Sequence, residues 1–201
     1  AIVIACNTAT ARSLKEAQEK YDIPIIGVIE AGARTAVSST KNKIVGIIGT
    51  EGTISSKAYN LEISKIDESI EIVNKACPLF VPIVEEGWAN TEVAKLTAKI
   101  YLQELKEKNI DSLVLGCTHY PILKRTIGEE VGEHIKLVNP AKETAKDLKK
   151  ILEVQNIINN TEIHGTYQYY VSDIPEKFSD IAREFLKKKI DKIQKVEIQK
   201  Y

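Results

Sequence analysis

The sequence contains no methionine, one tryptophan and only three cysteines among its 201 residues. An odd and sparse set of cysteines argues against a disulfide scaffold and fits the reducing cytoplasm. The 28 basic residues balance the 28 acidic ones, so no general field attracts nucleic acid or an anionic membrane surface. No apolar run approaches the length of a membrane span. These absences predict a cytoplasmic protein with neither nucleic acid nor membrane as a partner.

The chain begins on Ala1 inside an apolar, strand-like run and has no initiator methionine. A secretory signal peptide needs a basic region before its apolar core and a cleavage site after it, and neither is present. We therefore expect that the natural protein begins earlier and that an N-terminal segment precedes this sequence.

Short apolar runs alternate along the chain with segments of helical periodicity. Most of these runs lack a polar alternation, which is typical of parallel strands that are buried on both faces. The sequence therefore predicts an α/β fold of mainly parallel sheets flanked by helices. The predicted strands are 1–5, 24–29, 44–49, 70–73, 112–116, 135–138 and 167–171, and the predicted helices are 11–21, 31–38, 54–61, 91–107 and one that begins at 175.

Two short segments have the composition of domain crossings, Glu30–Gly32 and Asn139–Ala141. If both are hinges, residues 31–139 form one lobe, and residues 1–30 join residues 140–201 to form the other. We predict two similar lobes with the active site in the cleft between them.

Two cysteines follow apolar strands in closely similar settings. Cys6 lies in ACNT (Ala5–Thr8), and Cys117 lies in GCTH (Gly116–His119). Ligands of open α/β sheets bind in the crevice outside the carboxyl ends of the strands. Two thiols that face each other across one crevice can act as bases on opposite faces of one carbon, which suits inversion of a stereocentre. Buried cysteines are often only packing residues, and Cys77, which no threonine follows, keeps that interpretation.

Five segments carry distinctive motifs in order along nearly the whole chain: ACNTAT (5–10), IGTEGTI (48–54), ACPLFVPIVEEGW (76–88), LGCTHYP (115–121) and VSDIPEKF (171–178). Together they resemble the bacterial glutamate racemases of the aspartate/glutamate racemase superfamily. The resemblance implies an isomerase that interconverts L- and D-glutamate without a cofactor or metal and supplies D-glutamate for peptidoglycan. Glutamate is then the small-molecule partner, and a homodimer is compatible with the sequence.

The chain also departs from related patterns at defined points. In aspartate racemases the second cysteine motif more usually carries Glu where this chain has His119, so the resemblance favours glutamate. Aspartate or another acidic amino acid is the alternative substrate. The family's Asp-Ser-Gly and Tyr-Gly motifs do not occur here, which matches the expected N-terminal segment. For the chain without that segment, an acidic-amino-acid binding module without turnover is a further alternative.

The resemblance assigns the catalytic roles. Cys6 and Cys117 are the two thiols, and His119 and Glu85 assist Cys117, with Glu86 as the alternative to Glu85. A cysteine has an ordinary pKa of about 8.5 and a histidine one of about 6.5, so both exchange protons near neutral pH. The carboxylate that assists the first thiol in the family would lie in the segment before Ala1.

Polar residues beside the two cysteines are the candidates for substrate binding. They can donate to the substrate carboxylate or contact its ammonium group, and helix starts after both cysteines would add backbone N–H groups. N-capping is the alternative role for the hydroxyls, and a capping or core role is the alternative for the histidine. The candidates are Asn7, Thr8, Thr118 and His119, with Thr50 and Thr53 as a weaker pair.

Two other kinds of site use the same residues. Cys6, Cys117 and His119 are capable metal ligands, but no CxxC spacing or further nearby ligand completes a tetrahedral set, so we predict no metal. A redox switch would instead join Cys6 to Cys117 in a disulfide. His134 and His164 have no comparable context, and we expect them at the surface.

Overall fold

The computed structural model describes residues 1–161, 165–187, 190 and 192–198. The chain forms two compact units, residues 1–158 and 159–201. The strands are β1 (Ile2–Ile4), β2 (Ile25–Gly27), β3 (Ile44–Gly49), β4 (Glu71–Ala76), β5 (Ser112–Gly116), β6 (Lys136–Val138), β7 (Tyr169–Val171) and β8 (Ile193–Lys195). The helices are α1 (Asn7–Lys20), α2 (Ile29–Ser39), α3 (Glu51–Ser55), α4 (Ala58–Ile66), α5 (Phe80–Glu85), α6 (Glu92–Glu107), α7 (Lys124–Val131), α8 (Pro140–Val154) and α9 (Pro175–Leu186), with a short 3-10 helix at Tyr120–Leu123.

The first unit contains two parallel sheets among its described residues. β1 pairs with β2, and the larger sheet has the strand order β4-β3-β5-β6 with every neighbouring pair parallel. The central strands β3 and β5 are almost wholly apolar and buried, as expected of strands that are covered on both faces. The α/β class and the parallel sheets flanked by helices, both predicted from the sequence, are confirmed.

The larger sheet has a hydrophobic core on each face, because successive side chains of a strand point to opposite sides. One core contains residues of α5, α6 and α7, and the other contains residues of α2 and α4. Apolar burial of this kind contributes about 25 cal/mol per Å². The strand residues in the first core are Ile48, Leu113 and Leu115, and those in the second are Val45, Ile47, Val114 and Val138.

The carboxyl ends of the two central strands are aligned. Gly49, the last residue of β3, is paired with Gly116, the last residue of β5. Thr50 and Cys117 therefore leave the sheet at the same edge. Gly116 has no room for a side chain, because an ideal Cβ there would lie 2.5 Å from the carbonyl oxygen of Ile48.

Local sequence signals predicted the bounds of some elements, but they gave no helix at α5, α7 or α8 and no strand at β8. β3 and β5 have the predicted bounds, Thr91 is the N-cap residue of α6, and Pro175 begins α9. The single helix predicted over 54–61 is wrong. Lys57 adopts a left-handed φ of 53° and separates α3 from α4.

Ser112 at the start of β5 offers a test of core energetics. Within the described residues, its Oγ is the one buried side-chain polar atom that lacks a hydrogen-bond partner. An unpaired buried polar group costs about 1–3 kcal/mol, so Ser112→Ala should leave the free energy of unfolding unchanged or raise it by about 1 kcal/mol in urea titrations.

The matched control for this test is Thr126→Val. The buried Thr126 hydroxyl donates to the carbonyl of Ala89 at 2.9 Å, so its removal should lower the free energy of unfolding by about 1–3 kcal/mol. An equal loss for Ser112→Ala would contradict the assignment of an unpaired hydroxyl.

The second unit consists, in its described part, of α9 and the parallel pair β7 and β8. The predicted lobes, residues 1–30 with 140–201 and residues 31–139, stay a prediction. No helix within the described residues has both the length and the apolar character needed to cross a membrane.

Candidate active site

The two predicted catalytic cysteines follow strands of different sheets within the first compact unit. Cys6 comes after β1, is exposed, and is the N-cap residue of α1. Cys117 comes directly after β5 and is only 8% exposed. The two thiols therefore have similar positions in the fold but different environments.

Cys117 is a buried thiol whose pKa lies above the ordinary value for cysteine. Burial raises this pKa most, and negative charge on Cys6 raises it further, whereas hydrogen bonds from the backbone N–H groups of His119 and Tyr120 and from the Thr118 side chain lower it. Negative charge on Cys6 therefore opposes ionisation of Cys117. At neutral pH Cys117 is the protonated thiol, so it can donate a proton at once but needs a base before it can accept one.

A chain of polar contacts leads from Cys117 to Glu85. The Cys117 Sγ lies 3.8 Å from Nδ1 of His119, and Nε2 of the same ring lies 3.4 Å from Oε1 of Glu85. A thiol, an imidazole and a carboxylate in this order match the general arrangement of a reactive group, its base and a group that orients the base. The predicted alternative, Glu86, is exposed at the C-cap of α5, so this contact involves Glu85.

Buried aromatic packing fixes the segment that carries Glu85 beside the segment that carries Cys117 and His119. Tyr120, the neighbour of His119, donates from Oη to the carbonyl of Cys77 at 2.9 Å. Its ring packs edge-on against Phe80 of α5, with centroids 5.2 Å apart, so the helix that carries Glu85 is fixed beside the 3-10 helix. The Cys77 thiol is itself buried, which raises its pKa to about 12, as expected of a packing cysteine.

Asn7, a predicted substrate contact, is buried beside Cys6. Its Oδ1 accepts a hydrogen bond of 2.7 Å from Oη of Tyr59, so a substrate contact of Asn7 would use its Nδ2 group. Sequence reasoning missed Tyr59, because it lies 52 residues away and no motif marks it.

Three threonine hydroxyls form a cluster at this edge of the larger sheet. The Thr8 Oγ1 lies 2.8 Å from that of Thr50 and 3.0 Å from that of Thr53, and the latter two are 3.1 Å apart. Thr50 also accepts from the Thr53 N–H as the N-cap residue of α3. The structure therefore places Thr50 and Thr53, the weaker candidate pair, in contact with Thr8. Thr50 also has the capping role that was its alternative.

Thr118 is exposed beside the imidazole of His119. Its Oγ1 lies 3.3 Å from the same Nδ1 that faces the Cys117 sulfur. The Thr118 hydroxyl can therefore form a hydrogen bond either to this nitrogen or to a bound ligand.

The metal site and the redox disulfide that were weighed from the sequence concern the cysteine and histidine side chains. All three cysteines are free thiols. No group of three or more His, Cys, Asp or Glu side chains in the described part of the chain is arranged to hold a metal ion. His134 is exposed as predicted, and His164 lies outside the described residues.

Comparison with known proteins identifies similar sequences over nearly the full chain. Residues 1–148 match the family model of the Asp/Glu/Hydantoin racemases. The chain is 48% identical to a glutamate racemase of Geobacter metallireducens, over 98% of this chain and 73% of that protein. It is 45% identical to one of Oceanobacillus iheyensis, over 90% of this chain and 67% of that protein.

Solved structures are similar over the same length. A glutamate racemase isoform of Bacillus anthracis matches with a TM-score of 0.92 at 36% identity, over 98% of this chain and 73% of that one. The glutamate racemase of Francisella tularensis in complex with D-glutamate also gives a TM-score of 0.92, at 38% identity, over 100% of this chain and 74% of that one.

Proposed function

The chain belongs to the Asp/Glu/hydantoin racemase family, and we propose that it interconverts L- and D-glutamate by a two-thiol mechanism without a cofactor. The observation that carries the proposal is the pair Cys6 and Cys117, which follow strand ends within one compact unit. Thr8, two residues after Cys6, contacts Thr50, and Thr50 follows the strand end that is aligned with the one before Cys117. The contact of Cys117 with His119 supports it further, because the imidazole can accept the proton of the buried thiol and later return one. Cys117 can then act either as a thiolate base or as a thiol acid.

The reaction needs an acid and a base on opposite faces of the α-carbon. The α-proton of an amino acid is hard to remove, because the carbanion has no pyridoxal ring to spread its charge. In our proposal one thiolate takes this proton, the electron pair stays on the α-carbon, and the thiol on the other face donates its own proton to that carbon. The configuration is thereby inverted, and the roles of Cys6 and Cys117 are exchanged for the reverse direction.

His119 and Glu85 prepare Cys117 for the direction in which it acts as the base. The raised pKa of Cys117 keeps it protonated, so the imidazole must first accept its proton. The carboxylate of Glu85, 3.4 Å from Nε2, orients the ring and stabilises its positive charge. In the opposite direction Cys117 donates its proton to the substrate, and His119 returns one.

The substrate is held by the polar groups around the two thiols. Backbone N–H groups at the start of α1 favour a carboxylate beside Cys6. Asn7 Nδ2 and the Thr8 and Thr118 hydroxyls add donors, and the Thr50 and Thr53 hydroxyls extend the site from the larger sheet.

Glutamate is the proposed substrate because the named relatives and structures are glutamate racemases. The D-glutamate formed would supply peptidoglycan synthesis. Three free cysteines, two of them used as thiols, fit a reaction in the reducing cytoplasm.

The purified natural protein should racemise both enantiomers of glutamate in a polarimetric assay. The rate should be unchanged by a chelator, and the absorption spectrum should have no cofactor band in the visible range. Aspartate should react far more slowly. A rate that vanished with chelation, a visible cofactor band or faster turnover of aspartate would contradict the proposal.

The same assay on the 201-residue chain separates catalysis from simple binding. Titration calorimetry with glutamate, run on the same preparation, measures binding independently of turnover. Binding without racemisation would indicate a binding module instead of an enzyme.

A further inference from the structure

Tyr59 lies in the buried core between the two cysteine segments. It is only 2% exposed and belongs to the core cluster that contains Val45, Ile47 and Val114 of the central strands. Burial raises the pKa of its hydroxyl far above the ordinary value, so the group stays protonated and acts as a hydrogen-bond donor.

The polar end of Tyr59 reaches the first cysteine segment. Its Oη donates to Oδ1 of Asn7 at 2.7 Å, and Asn7 is the first residue of α1, directly after Cys6. The bond therefore connects α4, which packs on the larger sheet, to the helix that begins at the first thiol.

The ring of Tyr59 lies against the second cysteine segment. An ideal Cβ at Gly116, directly before Cys117, would be 3.4 Å from Cε2 of this ring. On the opposite side, an ideal Cβ at Gly32 would be only 2.8 Å from Oη and 2.9 Å from Cε1. The ring thus fits between two glycines and has little room to move.

We propose that Tyr59 is a positioning residue that sets the spacing of the two thiols, by its hydrogen bond to Asn7 and its ring contact at Gly116. This inference rests on the proposed two-thiol racemisation. Both proton transfers need heavy atoms within hydrogen-bond reach, about 2.6–3.2 Å. A small shift of Cys6 relative to Cys117 therefore impairs the reaction that uses both thiols more than a reaction that uses one.

The variant Tyr59→Phe tests this role, because it removes the hydroxyl and keeps the ring. Two activities are compared: racemisation, which needs both thiols, and loss of chloride from 3-chloroglutamate, which needs one. In the second reaction a thiolate takes the α-proton, the Cα–Cβ double bond forms, and the C–Cl bond breaks with its electron pair leaving on chloride. A misplacement near 1 Å costs about a hundredfold, so we expect kcat for racemisation to fall about 10- to 100-fold with little change in KM. Elimination should stay near the unsubstituted rate.

A second variant displaces Tyr59 without truncating it. Gly32→Ala adds a methyl group against Oη and should give the same separation of the two activities. Tyr170→Phe is the matched control, because it removes an exposed hydroxyl that donates to the Gln168 side chain and should alter neither activity.

The outcomes distinguish this inference from the proposed function. Equal losses of racemisation and elimination, with a lower thermal midpoint, would reduce Tyr59 to a general packing role and overturn the inference. Unchanged racemisation in Tyr59→Phe would overturn it as well, while the proposed function would stand. Absence of racemisation in the unsubstituted natural protein would overturn both.

Discussion

Cys117→Ala is expected to abolish racemisation in both directions, and Cys6→Ala to do the same. In the proposed mechanism each face of the α-carbon has one thiol, so the loss of either thiol leaves one proton transfer without its acid or base. General acid–base groups contribute about a hundred- to ten-thousand-fold each, so the residual rate should be near the detection limit of polarimetry. Each variant should still eliminate chloride from one enantiomer of 3-chloroglutamate, because a single thiolate suffices for that step.

Cys77→Ala provides the matched control for both thiol variants. Cys77 is fully buried in the core of the first unit, so the smaller side chain should lower stability slightly and leave kcat unchanged. Substantial racemisation by either Cys6→Ala or Cys117→Ala would remove the two-thiol mechanism.

His119→Asn should slow the direction in which Cys117 acts as the base by about a hundred- to ten-thousand-fold. The asparagine has no group that can accept the proton of a thiol whose pKa is raised by burial. The opposite direction should be less affected at the chemical step, and KM should change less than kcat. Steady-state kinetics in both directions measure this asymmetry.

Glu85→Gln extends the same test to the carboxylate. It should lower kcat in the same direction but more weakly, by about 10- to 100-fold if the carboxylate mainly orients the ring. Glu86→Gln is the comparison variant, since the ion pair with Nε2 of His119 is formed by Oε1 of Glu85. A rise in KM alone for both His119→Asn and Glu85→Gln would assign these residues to pocket shape.

Local sequence patterns predicted the frame of the molecule well. Unbroken apolar runs specify β3 and β5 to the residue, because buried central strands tolerate few polar side chains. The break at Lys57 could not be predicted, since no glycine or proline marks it.

Local sequence patterns predicted fewer of the contacts in the candidate site. Cys117 and His119 are only two positions apart, but spacing alone left a capping or core role open for the histidine. Both His119 and Glu85 received their assisting roles through family resemblance. The contact of Glu85 with His119 depends on the packing of α5 beside Tyr120. The bond between Tyr59 and Asn7 spans 52 residues and follows only from the assembled fold.

The neighbours Gly116 and Cys117 belong to one motif but meet different requirements, one of packing and one of proposed chemistry. The proposed role of Cys117 is chemical, whereas Gly116 is required by packing, because an ideal Cβ there would lie only 2.5 Å from the Ile48 carbonyl oxygen. In a mutational scan scored by racemisation in cell lysates, substitutions at both positions would abolish the signal alike. Only a measurement of the amount of folded protein would separate them, because a side chain at Gly116 disrupts the sheet before any proton is transferred.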